Sequence, residues 1–116
     1  MLIYVLDDEP IERNCWQFQE DAECNIQTFG EFTDFQAAMQ TITPDAVVID
    51  LVMPLHPGTE VCEWLLNNFP DVPRFVCSGL DHPKYEIFAK YGCKATFIPK
   101  STAFPDRLEV IRGCKS

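Results

Sequence analysis

Basic residues are nearly missing from the first half of this 116-residue chain, and histidine is scarce throughout, with His56 and His82 only. Residues 1–50 hold eleven acids against the single base Arg13, whereas residues 51–116 hold seven acids and eight bases, for a net charge of −9. An acidic surface repels nucleic acid and anionic membranes, so direct binding to either is not expected. The acidic stretch over residues 12–23 reads as a solvated helix face. No apolar run approaches the ~20 residues of a membrane-spanning helix. The first apolar run lacks a basic n-region, is short and is followed at once by acids, which excludes a signal peptide. A cytoplasmic protein is expected. C-x-x-C spacing is missing as well, and the two histidines stand far apart beside Pro57 and Pro83, so a zinc site is not expected. The six cysteines (15, 24, 62, 77, 93 and 114) read as reduced thiols, with Cys15, Cys62 and Cys77 inside apolar patterns as small core residues. Repeats, low-complexity tracts and linkers are lacking too, which leaves one domain over residues 1–116.

What is present is alternation. Leu2-Ile3-Tyr4-Val5-Leu6, Ile26-Gln27-Thr28-Phe29, Ala46-Val47-Val48-Ile49, Phe75-Val76-Cys77 and Thr96-Phe97-Ile98-Pro99 read as short buried strands. Helices are expected between them. Asp8-Glu9-Pro10 predicts a carboxylate cap and an early proline before a face of Ile11, Cys15, Phe18 and Ala22. Thr33 to Gln36 reads as a capping box ahead of Phe35, Met39 and Ile42. Gly58-Thr59 opens a third helix carrying Val61, Leu65 and Phe69. Asp81-His82-Pro83 opens a fourth, closed near Gly92, and Pro105-Asp106 opens a fifth with Leu108 and Ile111 inward. This (βα)₅ pattern predicts an α/β, flavodoxin-like, doubly wound parallel sheet of five strands in the order 2-1-3-4-5.

In a parallel sheet all strand C-termini share one edge, and ligands bind outside it. The strands run into Asp7-Asp8, Asp50, Ser78 and Lys100, so three carboxylates, a hydroxyl and an ammonium are expected in one cleft. A flavin or nucleotide phosphate needs a loop of backbone donors. The first loop is instead Asp7-Asp8-Glu9-Pro10, anionic and short of an N–H, which repels a phosphate and holds a divalent cation. Clustered carboxylate oxygens in a small cleft suit Mg²⁺. Asp50, alone at the end of the third strand, is placed as a carboxylate nucleophile toward phosphorus. Lys100 can neutralise phosphoryl oxygens, and Ser78 can donate a hydrogen bond to one.

These residues give the chain a resemblance to the receiver domains of two-component response regulators, the CheY-like superfamily, over essentially its whole length. The matching pieces are Asp7-Asp8, Asp50-Leu51-Val52-Met53-Pro54 followed by Gly58, Ser78-Gly79, and Lys100. The resemblance implies phosphoryl transfer from a phosphohistidine on a sensor histidine kinase or histidine phosphotransfer protein to Asp50. It implies Mg²⁺ held by Asp7, Asp8, Asp50 and the backbone carbonyl of Val52. It also implies a switch in which Ser78 follows the phosphoryl group and Phe97 moves, remodelling a face of the fourth helix, fifth strand and fifth helix. Lys84, Lys90, Lys94, Arg107 and Arg112 on that face imply an acidic downstream protein effector or output domain. The chain departs from the family pattern at Phe97, often tyrosine, at Ser101, usually proline, and at apolar Val52 and Leu80.

Such a domain is not an enzyme in the usual sense, because it catalyses only its own phosphorylation and dephosphorylation. The alternative is a receiver-like adaptor that binds protein partners without phosphorylation. A phosphatase using an aspartate nucleophile wants a second acid two residues later, where Val52 stands. The sequence admits both a complete regulator and the receiver portion of a longer protein.

Overall fold

Hydrogen bonding places five parallel strands in one sheet: β1 (Leu2–Leu6), β2 (Asn25–Phe29), β3 (Ala46–Asp50), β4 (Arg74–Ser78) and β5 (Thr96–Pro99), in the order β2-β1-β3-β4-β5. The helices are α1 (Pro10–Phe18), α2 (Phe32–Thr41), α3 (Gly58–Asn68) and α4 (Phe104–Gly113). In this computed structural model the described residues are 1–50, 58–79 and 95–113, with the side chains of Thr59 and Ser78 outside that set. The expected fourth helix, over 81–91, and the residues Val52, Leu80, Lys84, Lys90 and Lys94 also lie outside the described residues. The helix α4 is the fifth of the sequence reading.

Both sheet faces are covered, which is why β3 is buried at every position instead of alternating. One face packs Tyr4, Leu6, Val47, Ile49 and Val76 against Phe35 and Met39 of α2 and Val61 and Leu65 of α3. The other packs Ile3, Val5, Val48, Phe75 and Ile98 against Trp16 of α1 and Leu108 and Ile111 of α4. The doubly wound architecture is as the alternation predicts. The four described cysteines, Cys15, Cys24, Cys62 and Cys77, are free thiols.

Local expectations fail at several places. The helix α1 turns Trp16 inward, fully buried, and leaves Ile11 76% and Phe18 89% exposed. It ends at Phe18, and the chain then folds back through paired Asp21 and Cys24 backbone bonds, so Ala22 is not helical. Cys15 is only half-buried. No side chain caps α1 at Glu9. The N–H of Glu9, the residue just ahead of the helix, instead donates to Asp7 Oδ1 at 2.9 Å, so the carboxylate there belongs to Asp7 and not Asp8. The capping box does not form either, because α2 begins at Phe32, ahead of Thr33, with no side-chain cap; Ile42 sits past its end, exposed.

Candidate functional site

Register sets the site. Leu6 pairs with Phe29 and Ile49, Asp50 with Cys77, and Ser78 with Pro99, so the ends of all five strands come level. Asp7, Asp50, Ser78 and Lys100 therefore stand along one edge. Oxygens of Asp7, Asp8 and Asp50 lie within 4.8 Å of one another. Asp7 is 3% and Asp50 6% exposed, while Asp8 is half-buried. The Lys100 Nζ stands 3.4 Å from Asp7 Oδ2 and 3.7 Å from Asp50 Oδ1, bridging the two strand ends.

Asp7 is held at every polar atom. Its N–H donates to the Phe29 carbonyl at 3.0 Å, and its own carbonyl accepts from Arg13 Nη1 at 2.7 Å. One carboxylate oxygen takes the Glu9 N–H at the positive end of α1, and the other faces Lys100. The ion pair is asymmetric. Burial pushes the Asp7 carboxyl above its ordinary range, and the Glu9 N–H and Lys100 offset this only in part. Burial alone would lower Lys100, yet the charges of Asp7 and Asp50 outweigh it and raise the ammonium above its ordinary value. Lys100 is therefore charged at any physiological pH. Cys77, next to Asp50 in the register, is inert by comparison, since burial pushes its thiol up to about 11.

Of the residues expected from the sequence, Asp7, Asp8, Asp50 and Lys100 come together. Ser78 ends β4 opposite Pro99, and Phe97, half-buried, pairs with Val76 in the register and packs against the α2–α3 side of the core. The Val52 carbonyl falls outside the described residues. Arg107, expected on an outer face, is 2% exposed and lies inside. Arg112 is exposed, 3.8 Å from Asp21. Sequence reasoning missed Arg13, although its standing as the lone base among eleven acids was a usable signal.

The chain is similar in sequence and in fold to known proteins. The chain is 31% identical over 70 residues to the response regulator MprA of Mycobacterium leprae, a match covering 60% of this chain and 31% of that protein. It thus spans about a third of the curated relative's length. Among solved structures it superposes on the chemotaxis protein CheY4 of Vibrio cholerae with a TM-score of 0.86 and 18% identity, covering 97% and 96% of the two chains. It also superposes on the response regulator TrrA of Thermotoga maritima, in complex with Mg²⁺–BeF, with a TM-score of 0.82 and 22% identity, covering 97% and 96%. The family model for the response regulator receiver domain matches residues 3–112. With nearly the whole chain matched, this protein belongs to the response regulator receiver domain family.

Proposed function

We propose that the domain is a phosphoacceptor switch, with Asp50 receiving a phosphoryl group from a phosphohistidine on a sensor histidine kinase or histidine phosphotransfer protein. The observation that carries this reading is the Lys100 ammonium lying between Asp7 and Asp50 at the sheet edge. An Asp50 carboxylate oxygen forms the new O–P bond as the P–N bond of the phosphohistidine breaks. The electron pair stays on the imidazole nitrogen. Lys100 lies within reach of a phosphoryl oxygen seated on Asp50, so it stabilises charge on the transferring group.

The donor set fits a hard divalent ion: three carboxylates, two of them buried, with mutually close oxygens. Asp7, Asp8 and Asp50 would hold Mg²⁺, with the Val52 carbonyl as the fourth ligand that the family resemblance implies. When bound, Mg²⁺ would offset the negative charge that otherwise repels a phosphoryl donor. The Mg²⁺–BeF complex of TrrA supports that requirement. In the return step water attacks phosphorus, the O–P bond to Asp50 breaks, and inorganic phosphate leaves with the water's oxygen and protons as the carboxylate is regenerated. The domain acts on itself alone and is not an enzyme in the usual sense.

Output follows from Ser78 donating to a phosphoryl oxygen and Phe97 shifting inward. Phe97 lies in the strand next to β4 and three residues before Lys100, so motion at one end of β5 reaches both. A downstream protein effector or output domain reads the change. Incubation with Mg²⁺ and a small acyl-phosphate donor, followed by intact-mass measurement, tests the reading. One modification is expected, absent in Asp50→Asn and absent without Mg²⁺. Modification of Asp50→Asn to the native extent overturns the assignment.

A further inference from the structure

We infer that Arg107 is the positioning residue for Lys100, holding the turn from which the ammonium reaches Asp7 and Asp50. A guanidinium this buried is costly unless its donors are used. Each nitrogen of Arg107 has an acceptor. Nη2 donates to the Lys100 carbonyl at 2.7 Å, Nε to the Thr102 carbonyl at 2.8 Å, and Nη1 meets Glu12 Oε2 at 3.3 Å. Its carbon lies 4.0 Å from the centre of the Phe104 ring and 5.6 Å from that of Trp16. The planar fork fixes the directions of its donors, so it sets the Lys100 and Thr102 carbonyls relative to one another.

Two of these acceptors, the Lys100 and Thr102 carbonyls, belong to the Lys100 turn. The Thr102 N–H donates to the Pro99 carbonyl at 2.9 Å, closing a turn through Lys100 and Ser101. Ser101 contributes no ring to stiffen that turn, and the two Arg107 bonds hold it from below. The Glu12 contact ties the same guanidinium to α1, and the N–H of Glu9, which leads into that helix, holds Asp7. Both sides of the Lys100–Asp7 pair are thereby referred to one buried group. The pair sits at 3.4 Å and the Asp50 contact at 3.7 Å, so displacing the turn by roughly 1 Å separates them. Packing between α1 and α4 alone would be met by an apolar side chain.

The kinetic part of the test rests on the phosphoacceptor reading; the relaxation part does not. Arg107→Met keeps the length and the packing, and Arg107→Lys keeps the charge without the fork. In the whole, metal-free, unphosphorylated chain, side-chain NMR relaxation of Lys100 reports its order directly. The native Lys100 methylenes are expected to be ordered and those of both variants motionally averaged. Unchanged order in the variants overturns the inference. With Mg²⁺ and an acyl-phosphate donor, the first-order transfer rate should fall roughly 10- to 100-fold at little changed donor half-saturation. Arg107→Met added to Lys100→Met should cost nothing more, whereas a full further loss in that background places the guanidinium's effect elsewhere and also overturns it. A native protein that takes no phosphoryl group sinks the phosphoacceptor reading alone, and the relaxation comparison still decides the role of Arg107. Should the methionine variant not fold, the lysine variant carries both measurements.

Discussion

The Arg13 guanidinium reaches the Asp7 carbonyl at 2.7 Å through space that Gly30 leaves open. A Cβ on Gly30 would stand 2.8 Å from Arg13 Nη1 and 3.0 Å from its Cζ. Arg13→Met is expected to destabilise the protein by about 1–2 kcal/mol, the loss of a charge-assisted hydrogen bond. Gly30→Ala should stabilise by about 0.4–1 kcal/mol only in that background, where the restricted unfolded chain is no longer offset by a displaced arginine. Urea unfolding of the four proteins measures this. An equal Gly30→Ala effect with and without Arg13 would refute the coupling.

The face of α1 gives a second prediction. Trp16 packs edge-on to Phe104 with ring centres 5.1 Å apart, and Trp16→Ala should cost about 3–5 kcal/mol. Phe18, far out in solvent, should tolerate Phe18→Ser within about 0.5 kcal/mol. Thermal or urea denaturation that ranks the two the other way round would reverse the helix orientation.

Asp7 makes a pH prediction. Its folded carboxyl titrates above its ordinary value of 3.8, chiefly through burial. The folded state therefore binds more protons than the unfolded one in that window. The contribution is fully present below 3.8 and is lost as pH rises through the raised value. Asp7→Asn should thus be the more stable protein at pH 7 without metal, and the difference should narrow on acidification. A pH-independent difference, or a less stable variant at pH 7, would contradict it.

Metal addition should reverse that order. Mg²⁺ favours ionised oxygens, so it should stabilise the native protein more than Asp7→Asn. The double variant Asp7→Asn, Asp8→Asn should lose at least about tenfold in Mg²⁺ affinity, since two charged donors are gone. Titration followed by amide NMR shifts is the measurement, and unaltered affinity would place the ion elsewhere.

Strand identity, the 2-1-3-4-5 order and the meeting of Asp7, Asp8, Asp50 and Lys100 were legible in residue order alone. Short apolar runs separated by helical spacing admit few parallel topologies, and four of the five runs end on a polar residue, so strand pairing forces those residues to one edge. The inward side of α1 was not legible. Ile11, Cys15 and Phe18 share a helical face, and counting apolar residues favours it over the single Trp16. Packing decided otherwise, because the indole joins the buried cluster of β1, β3 and α4, and the short helix ends before Ala22. Arg107 was misread for a related reason. Grouped with Lys84, Lys90, Lys94 and Arg112 it reads as one more surface base, and only the fold brings two turn carbonyls, Glu12 and two aromatic rings around it, satisfying a charge that could not otherwise be buried.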